Sequence, residues 1–301
     1  MTARSRAPLF GLLLALVSSA CQPAEEVAGA SSRSEETTVA ETEASPSPAL
    51  DASAVAKDLR DLETALTPFD PTTPRGEQSA WFQRRRDLLE RMMDVTPEHG
   101  AQALQRFAER PDALPAVRGG WLHVAAHNAP LEALPILEQL LLVFGEDLGL
   151  RTKAAELLPA ASPARAIELL EPILLGQRGG VTYPPEDRLL GAWNEAALAL
   201  DHDRVPTLAS IAVDIRRAEA VRHAAVKLLG GVESDHGRQA LEQLLVESTG
   251  NHMVRRYAVQ SLVTSVEASK ICPLLEQVRN NEADTQFQMF LDGTIRETCL
   301  D

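Results

Sequence analysis

The chain has 301 residues, with 43 Asp or Glu against 29 Lys or Arg and a formal net charge of −14. Apolar residues make up 45% and aromatic ones only 4%. That balance fits a soluble globular chain and disfavours a sandwich or barrel, whose strands need aromatic and β-branched filling. The acidity argues against a nucleic-acid binder, and three cysteines exclude a disulfide-dense scaffold.

The first predicted segment is an address. Arg4 and Arg6 give a positive start, Leu9 to Val17 an apolar run, and Ser18, Ser19 and Ala20 small residues before Cys21. The apolar run is well short of the roughly 20 residues a spanning helix needs, so residues 1–20 read as a secretory signal. The stretch LVSSAC resembles the lipobox of bacterial lipoproteins, although its aliphatic residue, Val17, stands one position early with Ser18 in its slot. The resemblance implies that Cys21 is lipidated and becomes the mature N-terminus. Gln22 is not the Asp associated with inner-membrane retention, so it also implies an outer-membrane destination. Residues 22–50 hold six Glu, one Arg (Arg33) and otherwise mainly Ala, Ser, Thr and Pro. They offer no apolar core and repel one another, which predicts a disordered acidic tether over 21–50.

From residue 51 onward apolar residues recur at three- and four-residue spacing, broken at Gly, Pro, Asn or Asp, so helices are predicted throughout. GVTYPP (180–185) has some strand character, but its two prolines make it a loop. One pattern repeats: VRGGWLHVA at Arg118, LRTKAAELL at Arg151, VRHAAVKLL at Arg222 and VRRYAVQSL at Arg255, with weaker copies at Arg85 and Arg188. The spacings are 33, 33, 37, 34 and 33 residues. Partner segments alternate with these, and HGxQAL occurs at His99 and again at His236. A period near 34 predicts an all-α fold, an α-solenoid of about seven antiparallel helix pairs over 51–301.

These units resemble HEAT repeats, of the armadillo type, over roughly residues 55–297. In that family a proline bends the first helix, and an Asp or Asn in the turn precedes a V-R-x-x-A start to the second. Pro135, Pro172, Pro206 and Pro273 fit the bend; Asp112, Asp147 and Asn251 fit the turn. The unit before Arg222 lacks the turn acid. The tetratricopeptide pattern of Trp, Gly, Tyr and terminal Pro is absent, and a plain helical bundle is the simpler alternative. Arg85, Arg118, Arg151, Arg188, Arg222 and Arg255 are then expected to ladder hydrogen bonds between repeats with the turn acids. A row that binds anions is the second reading.

Catalytic signatures are missing: the sequence has no G-x-S-x-G elbow, phosphate loop, G-x-G-x-x-G, C-x-x-C or H-E-x-x-H. It also lacks the His-Glu pairs of the hydroxylases built from HEAT-type repeats. His123 and His127, four apart on one helix face, are the best metal candidates, but a third ligand would have to come from another repeat. Asp201, His202 and Asp203 read as a solvated turn, and Arg84 to Arg86 as a solvated helix face. Cys272 and Cys299 are a candidate disulfide in an exported protein. A hairpin turning near Asn281 puts the level of Cys272 close to Leu291, so pairing requires the chain to turn back, with Gly293 as the helix stop.

The functional expectation is a membrane-anchored, non-enzymatic scaffold of the cell envelope with no cofactor. Its partner would be another envelope protein or peptide, and it would touch the membrane only through its lipid. The alternative is a small-molecule-binding or lyase-like HEAT-repeat protein, as in the lyases that attach tetrapyrroles; the scarcity of aromatics speaks against its pocket.

Overall fold

The computed structural model describes residues 52–68, 72–93, 95–143, 146–178, 183–248 and 251–299. The residues read as a signal, the lipobox-like stretch with Cys21 and the expected acidic tether lie outside them. Fourteen α-helices and no strand occur among the described residues. In chain order they are α1 (Ala52–Leu66), α2 (Arg75–Arg91), α3 (Pro97–Glu109), α4 (Pro115–Asn128), α5 (Pro130–Leu142), α6 (Leu148–Ala161) and α7 (Pro163–Leu174). Then follow α8 (Glu186–Ala199), α9 (Val205–Val213), α10 (Glu219–Gly230), α11 (Asp235–Glu247), α12 (His252–Ser265), α13 (Ala268–Asn281) and α14 (Thr285–Cys299).

Successive helices pair: α3 packs on α4, α5 on α6, α7 on α8, α9 on α10, α11 on α12 and α13 on α14. The even-numbered helices from α4 to α14 also form a row in which each packs on the next. The odd-numbered helices meet less closely; α1 touches α3, and α9 touches α11. The result is a two-layered α-solenoid in which each pair completes its core against its neighbours.

Small residues build the even layer. Ala125, Ala126, Ala154, Ala155, Ala196, Ala197, Ala225 and Ala258 are buried, so helix axes approach closely, and leucines from the odd layer fill between them. Trp121 and Trp193 are the two largest side chains fully enclosed by this packing. The pairing of Leu with Ala is the structural counterpart of the low aromatic content.

The N-terminal pair departs from the others. Val55, Leu59, Leu62 and Leu66 of α1 recur every three or four residues, are buried, and seal the end of the core against α3 and α4. Helix α2 lies against α1 and edges α4, yet buries none of its own side chains.

Proline and caps set the boundaries. Pro97, Pro115, Pro130 and Pro163 open their helices, where a missing N–H costs nothing. Pro135, Pro172 and Pro273 lie inside α5, α7 and α13, where they remove a helical hydrogen bond. Pro206, expected to bend its helix, stands instead at the first turn of α9 and starts it. The described part of the 180–185 loop, Tyr183–Pro185, is irregular and leads into α8.

Candidate functional site

Arg118, Arg151, Arg188, Arg222 and Arg255 stand near the starts of their even helices and Arg85 late in α2, and they do not act alike. Arg151 is buried, and its Nη2 donates to the Leu141 carbonyl at the end of α5, 3.1 Å away. Arg255 does the same for α11: its Nε donates to the Leu245 carbonyl at 2.9 Å. In both cases ten residues separate donor and acceptor, and the guanidinium caps the C-terminus of the first helix of its own pair. Arg255 then reaches onward to Glu282 in the next turn at 2.5 Å and lies over the Phe287 ring at 4.1 Å. Arg118 makes a weaker version, 3.6 Å from Glu146 of the next turn and 4.4 Å over Phe107.

The other three differ. Arg85 stacks on Trp81 of its own helix at 5.5 Å. Arg188 is exposed and lies 3.4 Å from Glu156 on the preceding repeat. Arg222 has a buried Nε with no hydrogen-bond partner.

The ladder also uses different acids from those expected. Asp147 and Asn251 cap α6 and α12, accepting from Leu150 N and Val254 N, rather than pairing with arginines. Asp112 caps nothing, since Leu114 holds the N-cap position of α4 without a side-chain bond. The carboxylates that meet arginines across repeats are glutamates: Glu146, Glu156, Glu186 and Glu282 on the even side, and Glu63 with Arg106 and Glu138 with Arg165 on the odd side.

Arg217, which sequence reasoning passed over, serves where Arg222 does not. Sitting in the turn before α10, it is largely buried and donates to the Leu174 carbonyl at the end of α7. It also lies 3.0 Å from Glu186 and 3.2 Å from Asp214. Arg216, at 2.8 Å, also holds Asp214, and together the two guanidiniums keep its carboxyl far below the usual range. The signal was available: the run Asp214-Ile215-Arg216-Arg217 in a turn, with Arg217 five residues ahead of Arg222.

His123 and His127 share a face of α4, their ring centroids 4.5 Å apart. His127 Nδ1 lies 2.8 Å from the His123 carbonyl one turn back, so this nitrogen donates to the backbone. Both ring nitrogens of His123 are buried without a hydrogen-bond partner. Among the described residues no third His, Cys, Asp or Glu joins them in a group able to hold a metal ion. Their neighbour is cationic: Lys153 on α6 adds to burial in pushing the His123 pKa down to about 3.

Asp201, His202 and Asp203 form a turn with work of its own. Asp201 has a positive φ of 51°, His202 lies 3.6 Å from Glu171, and Asp203 accepts from Val205 N at 3.1 Å.

Cys272 and Cys299 are joined, with Cα atoms 5.9 Å apart. No turn-back at Gly293 is needed. Helix α14 runs through it to Cys299, because Phe287, Leu291 and Ile295 form a buried stripe that continues across that position. The hairpin turns at Glu282–Asp284, directly after Asn281 as expected.

Clefts lie between neighbouring helices. One, about 850 Å³ between α1 and α2, is lined by charged side chains, among them Asp58, Asp61, Arg84, Asp87 and Arg91, together with apolar ones such as Trp81, Leu88 and Met92. No helix among the described residues is long and apolar enough to cross a membrane. Compared with models of known families, with curated proteins and with solved structures, the chain matches none.

Proposed function

We propose that this protein is an exported, lipid-anchored scaffold of the bacterial cell envelope, built from HEAT-like repeats, that binds a protein or peptide through its even-helix layer and catalyses no reaction. The observation that carries the reading is the unbroken row from α4 to α14. In a two-layered solenoid the more closely packed row is the inner side of any curve, and it offers one side chain set per repeat to an extended partner.

Arg151 and Arg255, each capping the preceding helix from a V-R-type start, support the HEAT-like assignment, as do Pro135, Pro172 and Pro273 inside first helices. The anchor rests on Cys21 after a signal-like segment, and the six glutamates of 22–50 give a spacer that stays extended.

Growth with a fatty-acid probe tests the anchor: labelling of the native chain and its loss in Cys21→Ser are expected, and unchanged labelling contradicts lipidation. Light cross-linking before extraction of the envelope tests the scaffold. A reproducible protein adduct is expected, and repeated isolation of the protein alone contradicts it.

A further inference from the structure

Charge is not shared evenly between the two layers. The even helices α4 to α14 carry nine Lys or Arg against seven Asp or Glu, and the odd helices α3 to α13 carry five against ten. In a domain that is acidic overall, the even row is therefore net positive. The excess is greatest in α12, which has two arginines and no acid, and its neighbour α10 adds Arg222 and Lys227 against Glu219 alone. Arg255 is already engaged by the Leu245 carbonyl and Glu282. Lys227 and Arg256 meet no carboxylate among the described residues.

The same two helices are joined by a pair of rings. His223 of α10 and Tyr257 of α12 stack with centroids 3.5 Å apart and planes 14° from parallel. Val221 and Ala225 of α10, and Val254 and Ala258 of α12, are buried towards the core. Helical periodicity puts His223 and Lys227, one turn apart, on the opposite side of α10, and Arg256 and Gln260 on the opposite side of α12. Lys227 and Gln260 are exposed, and the two rings and Arg256 are half-buried. Arg256 lies over the Phe290 ring of α14 at 5.2 Å, and its buried Nε has no hydrogen-bond partner. A rigid ring pair flanked by two uncompensated cations is a surface of the kind that anchors interfaces, where Tyr and Arg are enriched.

We propose that the partner of the even layer is acidic, and that its acidic stretch seats on α10 and α12 between Lys227 and Arg256, over the His223–Tyr257 stack. This rests on the scaffold reading and supplies the partner's chemistry. Carboxylates of the segment meet Lys227 and Arg256, whose guanidinium keeps donors to give, and the ring pair supplies a firm platform beneath its backbone. Helix α8, next in the row, carries Glu186, Asp187 and Glu195 against Arg188, so the neutral or basic continuation of the segment lies there. Free polyanions are repelled by the rest of the chain, so binding one requires this local excess.

The test is fluorescence anisotropy of a labelled decaglutamate peptide with the full chain. Binding that weakens with salt is expected. Lys227→Gln and Arg256→Gln are expected to weaken it about threefold each and about tenfold together. Arg256→Lys, which keeps the charge, retains most of the affinity, and Lys270→Gln on the odd helix α13 leaves it unchanged. Circular dichroism checks that the variants keep their helices. The peptide is also expected to shift the His223 ring resonances, assigned through His223→Gln. Absence of binding, a double variant that binds as the native chain does, or an equal loss in Lys270→Gln would overturn the proposal. So would tighter binding of a ten-residue oligothymidylate, or self-association that the double variant abolishes, which would make the occupant a nucleic acid or a second copy. An envelope partner captured without any peptide binding retains the scaffold and overturns the acidic partner. A failed capture with the peptide still bound counts against the scaffold and leaves the acid-binding surface standing.

Discussion

Arg255 concentrates three interactions in one side chain: a cap on α11, an ion pair with Glu282 and a contact with the Phe287 ring. Both partners of that pair are nearly inaccessible, at 5% and 8% side-chain exposure. Removing one member strands a buried charge, so Arg255→Met is expected to cost about 3 kcal/mol in urea unfolding. Arg188→Ala removes an arginine of the same motif at 61% exposure and is expected to change stability by less than about 0.5 kcal/mol. Equal effects would contradict the division of the row drawn above.

Glu282 adds a pH dependence. Burial alone would raise its pKa, but the Asp284 N–H it accepts and the Arg255 guanidinium hold it below the ordinary 4.5. A depressed carboxylate stabilises the fold above its unfolded value, and that contribution is lost as pH falls through the folded value. Unfolding followed below pH 4.5 is therefore expected to show a steeper acid loss in the native chain than in Glu282→Gln. Parallel acid profiles would rule this out.

At the residue scale the sequence announced positions better than roles. It marked Arg151 and Arg255 by their motif, yet gave the turn acids the wrong task, because Asp147 and Asn251 are nearer to the orphan N–H groups of their own helices than to any guanidinium. The shared HG of the two HGxQAL copies has a backbone reason that periodicity does not carry. A Cβ on Gly100 would stand 2.7 Å from that of Ala129, and one on Gly237 would stand 2.8 Å from the Val232 carbonyl. The histidines beside them part company: His99 is buried against Asp58, whereas His236 is exposed.

At the scale of elements, helix existence was legible throughout and helix ends were not. Gly293 is a good stop signal in isolation, but the apolar stripe of α14 spans it and burial outweighs the roughly 1 kcal/mol that a helical glycine costs. Extending α14 is what carries Cys299 to Cys272. The bridge ties α14 to α13, its partner in the last described pair. For a 27-residue separation, the chain-entropy estimate is about 3.5 kcal/mol. Reduction, or Cys272→Ala with Cys299→Ala, is expected to lower stability by about that amount, with faster amide exchange confined to α13 and α14. Uniform loss of protection along the chain would contradict a local staple. Helix α2 was legible as a helix through its weaker copy of the motif at Arg85, but that copy lacks the apolar face of the others, so none of its side chains is fully buried.

At the scale of the whole molecule, the 34-residue period was the most informative feature, because it links every pair to the same packing problem and the same solution. The charge divides as well, with a net −5 in residues 22–50 and −11 from residue 51 onward. What the period could not convey is which layer packs tightly, since both faces of each pair carry leucines and alanines.

The most direct measurement of the central claim places a photo-activated cross-linking residue at one position per variant in living cells. Gln260 of α12 and Glu195 of α8 sample the even layer; Leu131 of α5 and Gln243 of α11 sample the odd. The account predicts discrete protein adducts from the even-layer positions and none from the odd-layer ones. Adducts from the odd layer alone, or from neither, would contradict a scaffold that grips its partner through the even helices.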